Sequence, residues 1–112
     1  MLVFSGLTDG TPAARFVVSQ PEEIGIRVFG TFGGATVALR TRKYTATGVN
    51  SWTEFKPALD ADPYAGAAYS STVEFANKVE AMRDQEFGIW ITGGTGESIE
   101  VWVDGNHVRK VV

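Results

Sequence analysis

Two segments of this chain have the same form: an alternating apolar run, a Gly-Gly pair, and a second alternating run. The first is Phe29-Gly-Thr-Phe-Gly-Gly-Ala-Thr-Val-Ala-Leu-Arg-Thr-Arg42. The second is Gly88-Ile-Trp-Ile-Thr-Gly-Gly-Thr-Gly-Glu-Ser-Ile-Glu-Val-Trp-Val103. Period-two alternation places successive side chains on opposite faces of an extended strand, and paired glycines punctuate strands with tight connections. This pattern constrains the chain to short antiparallel strands. It carries no chemistry of its own.

Other runs read the same way. Leu2–Phe4 is a short edge strand. Thr8–Ala13 holds Asp9-Gly10 and Pro12 and reads as a turn or arm, so residues 1–14 are open to reading as an N-terminal arm. Arg15–Gln20, Ile24–Phe29, Ala35–Arg42, Val49–Phe55, Ser70–Phe75, Phe87–Thr92, Ser98–Val103 and His107–Val112 read as strands. Phe32 lies inside the first glycine connector and is expected to plug the sandwich edge. Asp104-Gly105 is a hairpin turn signal, which predicts that the last two strands pair. Phe75–Glu86 is ambiguous. Ala76, Val79 and Met82 have helical spacing among helix-favouring residues, and the alternative is an irregular strand entering the next hairpin.

The fold class that follows is all-β. The expected architecture is an antiparallel β-sandwich, Ig-like or jelly-roll, of about eight short strands with one long irregular loop, Lys56–Ala68. A chain of 112 residues is one domain and buries roughly two thirds of its extended-chain surface. Most of the 13 glycines and all four prolines fall between the apolar runs, as short-strand proteins require.

Composition also bounds function. Net charge is −3, with positive and negative residues interspersed, which argues against a nucleic-acid partner. There is no cysteine, hence no disulfide framework or thiolate metal site. No apolar run approaches the length of a membrane-spanning helix, and Met1–Phe4 is too short for a signal peptide, so use without export is expected.

Candidate chemistry is sparse. Gly93-Gly-Thr-Gly-Glu97 lacks the Gly-Lys-Ser/Thr of a phosphate loop, and Glu97 would repel a phosphate. His107 is the only histidine and has no evident partner for acid–base work. Asp60 and Asp62 are compatible with calcium but lack its run of alternating oxygen ligands. No catalytic, cofactor or metal site is assigned. Arg40, Arg42 and Lys43 form one basic cluster, read either as a charged guard on an edge strand or as a link to an acidic partner. Trp90 alternates with Ile89 and Ile91, and Trp102 with Val101 and Val103. If the aliphatic side chains fill the core, both tryptophans face outward and are possible neighbours across a hairpin. Exposed aromatics of this kind serve an interface or a carbohydrate platform, and the remaining reading is simple core. Tyr64 in the long loop and Tyr69 just after it complete the set. The expected partner-interface residues are Trp90, Trp102, Phe32, Arg40, Arg42, Tyr64 and Tyr69.

The run Ile26–Leu39, followed by Trp52 after a Gly-Val-Asn-Ser turn, resembles a pattern in small β-sandwich virion proteins of tailed bacteriophages. Ile89–Val101 is similar to the second half of that pattern. The resemblance implies a non-enzymatic structural protein: a capsid cement (head decoration) protein, or alternatively a tail-, baseplate- or fibre-associated module binding carbohydrate or another virion protein. It further implies a homo-oligomer, with a trimer favoured, no cofactor, and contact with the major capsid protein or another virion protein. Assembly in the host cytoplasm would explain use without export.

Overall fold

The computed structural model describes residues 1–45, 51–54, 68–69 and 75–111 of the chain. These form ten strands: β1 Leu2–Leu7, β2 Gly10–Val18, β3 Glu22–Thr31, β4 Thr36–Lys43, β5 Thr53–Glu54, β6 Ala68–Tyr69, β7 Phe75–Ala81, β8 Gln85–Thr92, β9 Ser98–Asp104 and β10 Val108–Lys110. No helix occurs among the described residues. The first sheet has the order β1-β9-β3-β7. The second has the order β10-β2-β8-β4-β5, with β6 also paired to β4.

The pairs β1·β9, β2·β8, β3·β7 and β4·β5 are all antiparallel and nested in sequence. They are the rungs of one long hairpin. Rolling that hairpin brings β9 beside β3 and β8 beside β4, closing two facing sheets. This is jelly-roll winding. An Ig-like sandwich keeps its first two strands in one sheet. Here β1, β2, β3 and β4 alternate between sheets, so the all-β sandwich expected from alternation is a jelly roll.

The core lies between the sheets. From the first come Phe4, Ile24, Ile26, Val28, Val79, Ile99, Val101 and Val103, and from the second Phe16, Val18, Val37, Leu39, Phe87, Ile89 and Ile91. Phe16 stacks on Phe87 with centroids 5.1 Å apart, at the centre of this layer. Burying each such ring stabilises the fold by roughly 1.5–3 kcal/mol.

The two glycine segments are not hairpins. Each is an arch from one sheet to the other: β3 crosses to β4, and β8 crosses to β9. Sheets packed about 10 Å apart can be bridged by a few extended residues. The arches meet each other. The Thr95 N–H donates to the Gly33 carbonyl at 3.0 Å. Gly33 has φ +60°, and a Cβ there would sit 2.3 Å from the Thr95 carbonyl oxygen. A side chain at this position would push the arches apart. Ala35 and Phe32, which flank the glycine pair, are buried in the core.

Several expectations change with this topology. The last two strands do not pair, because β9 belongs to the first sheet and β10 pairs β2 in the second. The Asp104-Gly105 turn therefore also crosses between sheets. Residues 1–14 are not an arm: β1 pairs β9 in the first sheet, and β2 starts at Gly10 opposite Ile91, with a register shift between Gly10 and Ala14. In the ambiguous Phe75–Glu86 stretch, β7 is a strand whose Val79 and Ala81 point inward while Lys78 and Glu80 point outward. Pairing with β3 along the whole of β7 overrides helix propensity there. β4 is not an edge strand, since β8 pairs it on one side and β5 and β6 on the other. The charged-guard reading of Arg40 and Arg42 thus loses its premise. Of the expected strands Val49–Phe55 and Ser70–Phe75, Thr53, Glu54 and Phe75 are in strands, and residues 49–50, 55 and 70–74 lie outside the described residues. So does most of the Lys56–Ala68 loop.

Candidate functional site: the two outer sheet faces

Alternation that sends Phe87, Ile89 and Ile91 into the core sends Glu86, Gly88 and Trp90 to the outer face of the second sheet. Register then sets their neighbours. Trp90 lies opposite Ala38, Gly88 opposite Arg40, and Glu86 opposite Arg42. On the other side of β8, Gly88 is opposite Arg15 and Glu86 opposite Val17.

Gly88 leaves a gap on this face, and the two indoles fill it. A Cβ there would lie 2.5 Å from Trp90 Cζ3 and 3.1 Å from the Trp52 ring. The two rings meet edge-to-face, with centroids 5.2 Å apart and planes at 74°. Arginines cover them: the Arg42 guanidinium carbon is 4.0 Å from the Trp52 centroid, and that of Arg40 is 5.2 Å from the Trp90 centroid. Such cation–π contacts are worth about 0.5–2 kcal/mol each, increasing with desolvation.

The charges on this face are unequal. Glu86 is fully buried and receives both neighbouring arginines. Arg42 Nε donates to Oε1 at 2.8 Å, and Arg15 Nη1 donates to Oε2 at 3.2 Å. Arg40 is different. It has no ion pair among the described residues, and its buried Nε has no hydrogen-bond partner.

The first sheet has its own outer cluster. Trp102 is half-buried and edge-on to Phe29, with centroids 5.3 Å apart and planes at 77°. Its indole N–H donates to Glu100 Oε2 at 2.8 Å, and Ser5 Oγ donates to Oε1 at 3.2 Å. Trp102 lies opposite Val3 of β1 on one side and Arg27 of β3 on the other.

Both tryptophans therefore face outward, as alternation predicts, but on opposite sides of the molecule rather than side by side. β8 and β9 belong to different sheets, so no platform joins Trp90 to Trp102. Phe32 is only 6% exposed and belongs to the core, not to an interface. Tyr69 is in β6 opposite Val37, and Tyr64, Asp60 and Asp62 lie outside the described residues. Among the described residues no group of three or more His, Asp or Glu side chains could hold a metal ion. Nor is any helix there long and apolar enough to cross a membrane.

His107 does have a partner. Its Nδ1 is hydrogen-bonded to Glu22 Oε2, while the Asn106 N–H donates to Glu22 Oε1 at 2.7 Å. Burial works to raise the Glu22 pKa. The His107 hydrogen bond, the Asn106 N–H and the His107 charge outweigh it and hold the carboxyl below the usual glutamate value. The pair fastens the β9–β10 turn to the start of β3. Glu97, expected to repel phosphate, is buried and accepts the Asp9 N–H at 2.9 Å.

Glu86, Arg15 and Phe29 escaped the sequence reading as site residues. The parity of Glu86 with Gly88 and Trp90 was readable. That two arginines from flanking strands, 71 and 44 positions away, converge on it was not.

None of the family models, curated proteins or solved structures compared with this chain matches it.

Proposed function

We propose that this chain is a non-enzymatic structural protein of a tailed-phage particle, a capsid cement protein that binds the assembled head lattice and stabilises it. One observation carries the reading: each outer face of a closed jelly roll presents a half-buried tryptophan cluster, one of them stacked with arginines. Trp and Arg are the residues that dominate the energy of protein–protein contacts. The resemblance of Ile26–Leu39 and Ile89–Val101 to small virion proteins supplies the partner. Jelly rolls also build viral capsid domains, which agrees at the level of fold analogy. The single histidine is fastened to Glu22 at the turn between β9 and β10.

Stabilisation follows from linkage. A protein that binds the assembled shell and not its dissociated subunits shifts the equilibrium toward the shell. Repetition over many lattice sites turns modest contacts into a large total.

The alternative, a tail- or fibre-associated module that binds carbohydrate, needs flat aromatic surface. The Trp52 and Trp90 rings are edge-to-face, and an arginine lies over each, which disfavours sugar stacking.

The test is addition of the purified chain to heads lacking it, followed by heat or chelator challenge. Binding to expanded heads with increased resistance supports the cement role. Failure to bind heads, together with quenching of Trp fluorescence by glycans, would favour the alternative.

A further inference from the structure

The two outer faces differ in charge. On the second sheet, the outward positions of the described residues hold Arg15, Arg40, Arg42 and Arg109 against Glu86, and Glu54 is in register with Arg40. This face is net positive. On the first sheet, the outward positions of the described residues hold Glu23, Glu80, Glu100 and Asp104 against Arg27 and Lys78. This face is net negative. The positive face centres on Trp90 and an Arg40 without an ion pair among the described residues. The negative face centres on Trp102 held by Glu100, with Asp104 two residues on and exposed.

We propose that the occupant of each face is a second copy of this chain: the acidic outer face of the first sheet docks on the basic outer face of the second sheet of the next copy. The inference rests on the reading that the outer faces are contact surfaces and names their partner. Opposite potentials attract across such a contact and disfavour like-face pairing, where charges of one sign would meet. An acidic side chain of the neighbour gives Arg40 an ion pair that it does not make among the described residues. Because two different faces meet, the contact is heterologous. It repeats from copy to copy rather than ending at a symmetric dimer.

Sedimentation velocity on the full chain tests this. The wild type is expected to form species larger than the 12.1 kDa monomer, growing with concentration. Association should weaken about tenfold or more between low and high salt, as screened surface charges require. Two double variants resolve the geometry. Glu80→Lys with Asp104→Lys spoils only the acidic face, and Arg40→Gln with Arg109→Glu spoils only the basic face. Glu80, Asp104 and Arg109 are exposed and Arg40 is half-buried, and thermal melts check that both variants fold. Each alone is expected to be monomeric, whereas their equimolar mixture forms one-to-one dimers that grow no further. A wild type that stays monomeric at all concentrations and salts overturns the proposal. So does either variant that still dimerises alone, or a mixture that does not pair. Head binding is measured separately. Self-association without head binding would sink the cement role and leave this contact standing, and head binding by a strict monomer would do the reverse.

Discussion

Replacing Gly33 by alanine tests whether the two glycine arches really meet. Three effects add at this position. An L-residue at φ +60° is held in the left-handed region, at about 1–2 kcal/mol. The new methyl would lie 2.3 Å from the Thr95 carbonyl oxygen, a backbone atom that cannot swing aside alone. Moving it disturbs the 3.0 Å hydrogen bond from the Thr95 N–H to the Gly33 carbonyl, worth about 1 kcal/mol net. The expected loss is about 3 kcal/mol, or a fall in Tm of about 12 °C for a domain of this size. Gly34 is the internal control. It also has positive φ, +86°, but a Cβ there meets nothing within 4 Å. Gly34→Ala should therefore lose only the backbone term, about 1–2 kcal/mol. Urea unfolding of both variants, with m-values compared, measures the difference. Equal losses would mean that the arches do not touch and that each glycine segment is an independent turn.

Glu86→Ala should destabilise the fold by about 3–5 kcal/mol, because it leaves Arg42, whose side chain is 9% exposed, without its carboxylate. Urea melts of that variant and of Glu86→Gln measure this, and the amide should lose less. Gly88→Ala should drive the Trp90 ring off its contact with Trp52 and change intrinsic fluorescence, with the Trp52→Phe background identifying the emitter. The folded Glu22 pKa is depressed, so its contribution to stability is complete above the ordinary glutamate pKa and is lost as pH falls through the lowered folded value. Thermal melts from neutral to acidic pH should show that loss below about pH 4.3, and Glu22→Gln should flatten this part of the profile.

Strand content and facing were legible in the sequence because both depend only on alternation. Ile89 and Ile91 point inward and Trp90 outward, as do Val101, Val103 and Trp102 in their strand. Which strands share a sheet was not legible. A strand–Gly-Gly–strand segment fits a hairpin and an arch equally well, since glycine permits both backbones. The choice is made by the rolled ladder, in which β3 meets β9 and β4 meets β8. The same non-local pairing turned Arg40 and Arg42 from presumed edge charges into central-strand residues stacked on indoles. It also made a strand of residues whose local preferences favour helix, because Val79 and Ala81 gain a buried face by pairing with β3. The site was half legible. Its aromatics follow from parity, but the convergence of Arg15 and Arg42 on Glu86 depends on strand order alone.

The most direct test of the central claim is cryo-electron microscopy of particles produced by the genome that encodes this chain. The account predicts jelly-roll density at repeated positions on the outer head lattice, with an outer sheet face in contact with a neighbour. Density confined to the tail, or particles that lack the chain altogether, would contradict it.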